Sequence, residues 1–139
     1  GYWVWQRMKG HASKLSGLLR LPDMPWRNKS AFSWKGIRSC NFGCWRTDFE
    51  QVNGFDASFV GWGHEGADFV LRLHNSGTTR KNGFCATEVF HLWHRDAARN
   101  QELLNAAVVT ARATTTVTQP TLGYSQRRIN DDVRITTLG

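Results

Sequence analysis

Phe59-Val60-Gly61-Trp62-Gly63-His64-Glu65 is the stretch on which the reading of this chain turns. Two glycines around an indole allow a tight turn and let the backbone approach a ligand closely. Beyond it, Phe69, Val70 and Leu73 fall on one side at helical spacing and Gly77 closes the segment, so the periodicity predicts a helix from about His64 to Ser76. Glu65 and Asp68 stand three residues apart in its first turn and share a face, while Asp68 and Arg72 form an i, i+4 pair. Such a place can hold a hydroxyl. The Trp62 indole offers a flat apolar surface for the C–H face of a sugar, and a carboxylate can accept the hydroxyl proton. The plainer alternative is that acidic residues in a first turn simply complement the helix dipole.

Working outward, Thr47-Asp48-Phe49-Glu50 fits a capping box and Gly54 a left-handed stop, which predicts a short helix over about 48 to 53. Downstream, Asn82-Gly83 reads as a turn and Thr87 to Leu92 as a strand. His91-x-x-His94 lies at its end. Side chains alternate along a strand, so both histidines reach one metal only if the strand stops near Leu92, and His94 is the better ligand candidate. Ala97 to Ala113 is a second amphipathic helix, and Thr114 to Thr118 a β-branched run stopped by Pro120. Residues 1 to 39 are rich in Trp, Lys, Arg and Gly and are broken by Pro22 and Pro25, so they are expected to be irregular, with one short helix around His11 to Leu19.

With 139 residues and 40% hydrophobic content, the chain suits one domain. No run has the roughly 18 to 20 apolar residues of a membrane span, and the start lacks the order of a secretory signal. It opens on Gly1, and Tyr2-Trp3-Val4-Trp5 reads like an element entered midway, so a fragment is expected. The formal charge of +7 suits a solvated basic face first, an anionic membrane surface second, and nucleic acid last. Arg7, Lys9, Lys14, Arg20, Arg27, Lys29, Lys35 and Arg38 carry much of it. Three cysteines, Cys40, Cys44 and Cys85, show no disulfide spacing and fit a reducing compartment. Cys40, Cys44, His91 and His94 are ligand types for zinc, but the two pairs are too far apart for a finger. No nucleophile elbow, phosphate-binding loop or dinucleotide fingerprint is present.

In order along the chain, Cys40-Asn41-Phe42-Gly43-Cys44-Trp45-Arg46-Thr47-Asp48, Val52-Asn53-Gly54-Phe55-Asp56, Gly61-Trp62-Gly63-His64-Glu65 and Phe90-His91-Leu92-Trp93-His94 are the motifs that matter. Over about residues 36 to 104 they closely resemble the galactosyltransferase C-terminal domain of family 2-like bacterial glycosyltransferases and of β-1,4-galactosyltransferases. The resemblance implies an α/β fold, the C-terminal (acceptor and catalytic) half of a GT-A type nucleotide-diphospho-sugar transferase. It divides the chain into a basic Trp-rich lead-in, 1–38, the catalytic region, 39–104, and a C-terminal extension, 105–139. It also implies an inverting, metal-dependent transfer of a sugar such as galactose from a nucleotide-sugar donor to a polysaccharide, lipopolysaccharide or glycolipid acceptor.

By the same resemblance, Gly61, Trp62 and Gly63 bind substrate, with Trp62 closing over the sugars. Glu65 contacts the acceptor, with Asp68 as the second catalytic candidate. His94 and His91 are ligands of a divalent metal, Mn²⁺. The sequence departs from the family in two ways: Gly66 stands where an Asp usually follows the Glu, and no Asp-x-Asp is present. Glu65 then serves as base, or Asp68 through a water, and the chain alone is not expected to be a competent transferase. The implied location is the cytoplasm, peripheral at the inner membrane face through anionic lipid, with no nucleic-acid partner. A different class stays open: a degenerate, non-catalytic carbohydrate-binding or partner module that kept the Gly-Trp-Gly platform.

Overall fold

The structure, a computed structural model, describes residues 1–10, 19–34, 37, 39–87, 89, 94–95 and 97–126. The chain forms two compact units, Gly1–Ser30 with Arg80–His94, and Ala31–Thr79 with Arg95–Gly139. They interleave along the sequence, so the expected lead-in, 1–38, contributes to both. The mixture of helix and strand is consistent with an α/β fold. No helix among the described residues is long and apolar enough to cross a membrane.

In the first unit, helix α1 spans Tyr2–Met8, where the sequence reading expected irregular chain. The short helix placed around His11 lies, for residues 11 to 18, outside the described residues. After a 3-10 turn at Pro25–Arg27, strand β1 (Asn28–Lys29) pairs antiparallel with β2 (Arg80–Lys81), in register Asn28 with Lys81 and Lys29 with Arg80. Arg27 organises this unit. Counted above among scattered surface cations, it is only 1% exposed, and its guanidinium donates to the carbonyls of Leu21 (2.9 Å), Pro22 (2.9 Å), Asn82 (2.9 Å) and Phe84 (2.7 Å). Four carbonyl dipoles satisfy a buried cation that would otherwise be prohibitively costly to desolvate. Past the Asn82-Gly83 turn, Thr87 and Val89 are irregular, and the remainder of the expected strand lies outside the described residues.

In the second unit, helix α2 runs Arg46–Gln51, slightly ahead of the expected 48 to 53. The capping box does not form. Trp45 is the N-cap and gives no side-chain bond, Thr47 is already inside the helix, and Glu50 pairs instead with Arg46 at 2.7 Å. The exit of α2 is a Schellman closure: Asn53 N–H donates to Glu50 (3.0 Å) and Gly54 N–H to Phe49 (2.9 Å). The left-handed residue there is Asn53 (φ 56°), with Gly54 continuing the reversal.

Helix α3, Glu65–Asn75, agrees with the sequence reading to within a residue at each end. It closes the same way, with Gly77 N–H donating to His74 (3.0 Å), Thr78 N–H to Leu73 (3.0 Å), and φ of 91° at Gly77, where a side chain would be strained. Phe69 and Leu73 of α3 meet Val52 and Phe49 in the apolar core, and the Phe55 ring stacks on Phe69 at 4.5 Å.

Helix α4 is Glu102–Arg112; residues 97 to 101 of the expected helix are outside it. Its orientation is unlike what its apolar residues suggest, for it buries Asn105 and Val109 while Leu103 stays 84% exposed. Polar partners decide the inward face. Arg112 Nη1 reaches Asp56 (2.9 Å) and Asp68 (2.6 Å), and its Nη2 donates to Thr121 Oγ1 (2.6 Å). Asp68 also accepts from Arg72 Nε (2.8 Å), whose Nη1 donates to the carbonyls of Val52 (2.6 Å) and Gly54 (2.8 Å). One guanidinium therefore ties the exit of α2 to α3, and a second ties α3 to α4. After α4, in the β-branched run, the hydroxyls of Thr114 and Thr115 donate back to the carbonyls of Ala111 (2.9 Å) and Arg112 (2.7 Å) in the last turn of the helix.

Arg112→Met leaves two buried carboxylates without their shared cation and is expected to lower stability by about 3–5 kcal/mol in urea unfolding. The Asp56 carboxyl is pushed up by burial. Hydrogen bonds from Ser58 and from the backbone N–H groups of Thr121 and Leu122 outweigh that and hold it well below the usual carboxylate range. A depressed value means that the ionised form stabilises the fold. Its contribution is complete above the unfolded value of about 3.9 and disappears as pH falls below it. Asp56→Asn should be less stable at neutral pH and show a shallower loss of stability on acidification; an equally steep acid limb would refute this role.

Candidate functional site

The Gly61-Trp62-Gly63 turn takes a backbone path that an ordinary sequence resists. Gly61 (φ 74°), Gly63 (φ 109°) and His64 (φ 68°) all lie at positive φ just before α3. At Gly61 the space is also restricted, because an added Cβ would sit 3.2 Å from Gln101 Cγ at the start of α4. His64, the N-cap of α3, has a conformation that non-glycine residues adopt uncommonly, and its carbonyl accepts the first helical bond, from Asp68 N–H (3.0 Å). Local strain of this kind collects where a site must be preset.

What holds the turn was not visible in the motif. Asn105 of α4, buried, donates its side-chain amide to the carbonyls of Val60 (3.2 Å) and Gly63 (3.0 Å). One residue clamps the turn at both ends. Arg99, just ahead of α4, lays its guanidinium over one face of the Trp62 indole at 4.2 Å, a cation–π contact that fixes the ring while leaving it 42% exposed. A sequence signal for the clamp existed only as a polar residue in an otherwise apolar helical run.

Glu65 and Asp68, equivalent by spacing, have opposite surroundings. Asp68 is fully buried, and its two oxygens accept from Arg72 and Arg112. Neither of its oxygens is turned to solvent or left without a cation, where the sequence reading had it reach a hydroxyl through a water. Glu65 is the first residue of α3, and its Oε2 is buried with no hydrogen-bond partner. Buried oxygens without partners are rare and costly, by about 1–3 kcal/mol, so this acceptor is set for a donor that the fold does not supply. Beside it, Gly66 packs against Ser39; an added Cβ there would lie 3.4 Å from Ser39 Cβ, an ordinary contact.

His94 is exposed, and His91 lies outside the described residues. Among the described residues no group of three or more His, Cys, Asp or Glu side chains converges. Cys40 and Cys44 are exposed free thiols, and Cys85 is buried.

Asn105→Ala is expected to cost about 1–3 kcal/mol by orphaning the two turn carbonyls. Leu103→Ala, a change to an exposed side chain of the same helix, should stay within about 0.5 kcal/mol. Equal effects in thermal melts would show that the clamp is unimportant.

No curated protein and no solved structure matches the chain. Residues 27–95 match the family model described as the N-terminal domain of galactosyltransferase, where the motif reading had assigned a C-terminal domain. The segment that contains the Gly-Trp-Gly turn, α2 and α3 is thus similar to a glycosyltransferase family.

Proposed function

We propose that the chain is the acceptor-side part of a galactosyltransferase-like enzyme that moves a sugar from a nucleotide-sugar to a carbohydrate or glycolipid acceptor. The observation that carries this is the buried, unpartnered Oε2 of Glu65, directly after a preset Gly-Trp-Gly turn, within the segment similar to galactosyltransferases. The acceptor sugar stacks on the face of Trp62 that Arg99 does not cover, and its hydroxyl donates to Glu65 Oε2. Glu65 takes that proton as the hydroxyl oxygen bonds to the anomeric carbon. The bond from that carbon to the nucleoside diphosphate breaks, the diphosphate leaves with the electron pair, and the configuration inverts. A GT-A arrangement, a Mn²⁺ requirement with His94 as one ligand, and action at the cytoplasmic membrane face belong to the same proposal, and no chemical step is routed through the metal.

A second reading, a non-catalytic carbohydrate-binding module, is favoured by one observation: Gly66 supplies no side chain and Asp68 is occupied, so neither adds a carboxylate beside Glu65. Transfer from UDP-galactose to oligosaccharide acceptors, with and without Mn²⁺, by the chain joined to a nucleotide-binding half separates the two. Under the first reading Glu65→Gln lowers the rate by about 10²- to 10⁴-fold with an unchanged melting temperature. Gly66→Asp, for which the Ser39 contact leaves room, raises it. Saccharide binding that Trp62→Ala abolishes, with no transfer by either the parent chain or Gly66→Asp, supports the binding module instead.

A further inference from the structure

We propose that α1 is a membrane-surface element that lays its aromatic face on an anionic lipid bilayer. This deepens the surface location assigned above by giving it a structural element, and it is independent of the transfer chemistry. None of the residues of α1 is buried, and Tyr2, Val4, Trp5 and Met8 are all exposed, Met8 by 82%. At about 100° per residue these four fall on one half of the helix, with Trp3, Gln6 and Arg7 on the other. The unit to which α1 belongs leaves this apolar face in water. Lys9, the C-cap, places Nζ 3.9 Å over the Trp5 ring, so a cation sits at the border of that face.

The charge around α1 decides among occupants. Residues 1–22 contain Arg7, Lys9, Lys14 and Arg20 and no Asp or Glu. A second copy of the same face would bring like charges together. A nucleic acid would match the cations but leave Val4 and Met8 uncovered. A bilayer with anionic headgroups satisfies both: Trp and Tyr rings settle at the headgroup level, the aliphatic side chains reach the acyl boundary, and the basic side chains meet the anionic headgroups. An apolar contact and a basic cluster are the two weak signals that together make stable peripheral binding.

Binding of the 139-residue chain to vesicles of phosphatidylcholine, with or without phosphatidylserine, is measured by cosedimentation and by quenching of tryptophan fluorescence with brominated lipid. The chain should bind the phosphatidylserine vesicles and be quenched there, and bind phosphatidylcholine at least about ten-fold more weakly. Each basic residue near such a surface contributes about five-fold, so Arg7→Gln with Lys9→Gln should weaken binding about 25-fold. Trp5→Ser with Met8→Ser should weaken it at least about ten-fold and remove quenching. All four positions are exposed, so these variants open no core, and circular dichroism should be unchanged. Equal affinity for both vesicles, no binding to either, or undiminished binding by the Trp5/Met8 variant would overturn the proposal. So would a dimer in sedimentation that the Trp5/Met8 variant dissociates.

Discussion

The second unit depends on one buried arrangement, two carboxylates and two guanidinium groups alternating as Asp56, Arg112, Asp68 and Arg72. Its apolar core is small: among the described residues Val52, Phe69, Leu71, Leu73 and Val109 are buried, with Phe49 and Val70 at the margin. Few apolar side chains leave orientation underdetermined, because several helix rotations bury similar area. Charges do not allow that freedom. Each carboxylate demands a donor at a definite place, and a helix turned by one residue would strand a buried ion at a cost of several kcal/mol. The network therefore selects among packings that hydrophobic burial alone would leave close in energy.

The site inherits its rigidity from that selection. Arg112 fixes the end of α4, and with it the rotation that points Asn105 at the carbonyls of Val60 and Gly63. The same rotation sets Gln101 against Gly61. The strained backbone at Gly61, Gly63 and His64 is thus held from behind by a helix whose own position is fixed by ions. This order explains why α4 exposes Leu103. A helix placed by its polar contacts has no obligation to bury its most apolar residues.

Helix α3 was legible because three levels of signal agreed there: apolar spacing, a glycine turn before it and Gly77 after it. The match to a galactosyltransferase model rests on the same stretch and its neighbours. Where signals were single, they failed. The capping box at Thr47 gave way to an Arg46–Glu50 pair, an interaction worth about 0.3–0.5 kcal/mol but available once α2 began at Arg46. Arg27 looked like any surface cation, because the four carbonyls that receive it come from segments separated by more than fifty residues, and no local pattern announces such a cage. Tyr2–Met8 was passed over because an aromatic run with Arg7 and Lys9 has no core-facing periodicity; its face is not directed at a core.

The pair Glu65 and Asp68 shows most clearly where sequence stops and structure begins. By spacing they are interchangeable, two acids on one face of a first turn, both favourable to the helix dipole. Chemistry needs them to differ: a carboxylate that anchors the fold must have its oxygens bonded, whereas one that takes a proton must have an oxygen waiting. The difference comes from residues far along the chain, Arg112 reaching Asp68 from α4 while no described residue reaches Glu65 Oε2. An anchored Asp68 also explains how Gly66 can be tolerated. With the fold held by the ion network and not by a second acid at the turn, position 66 is free to lose its side chain.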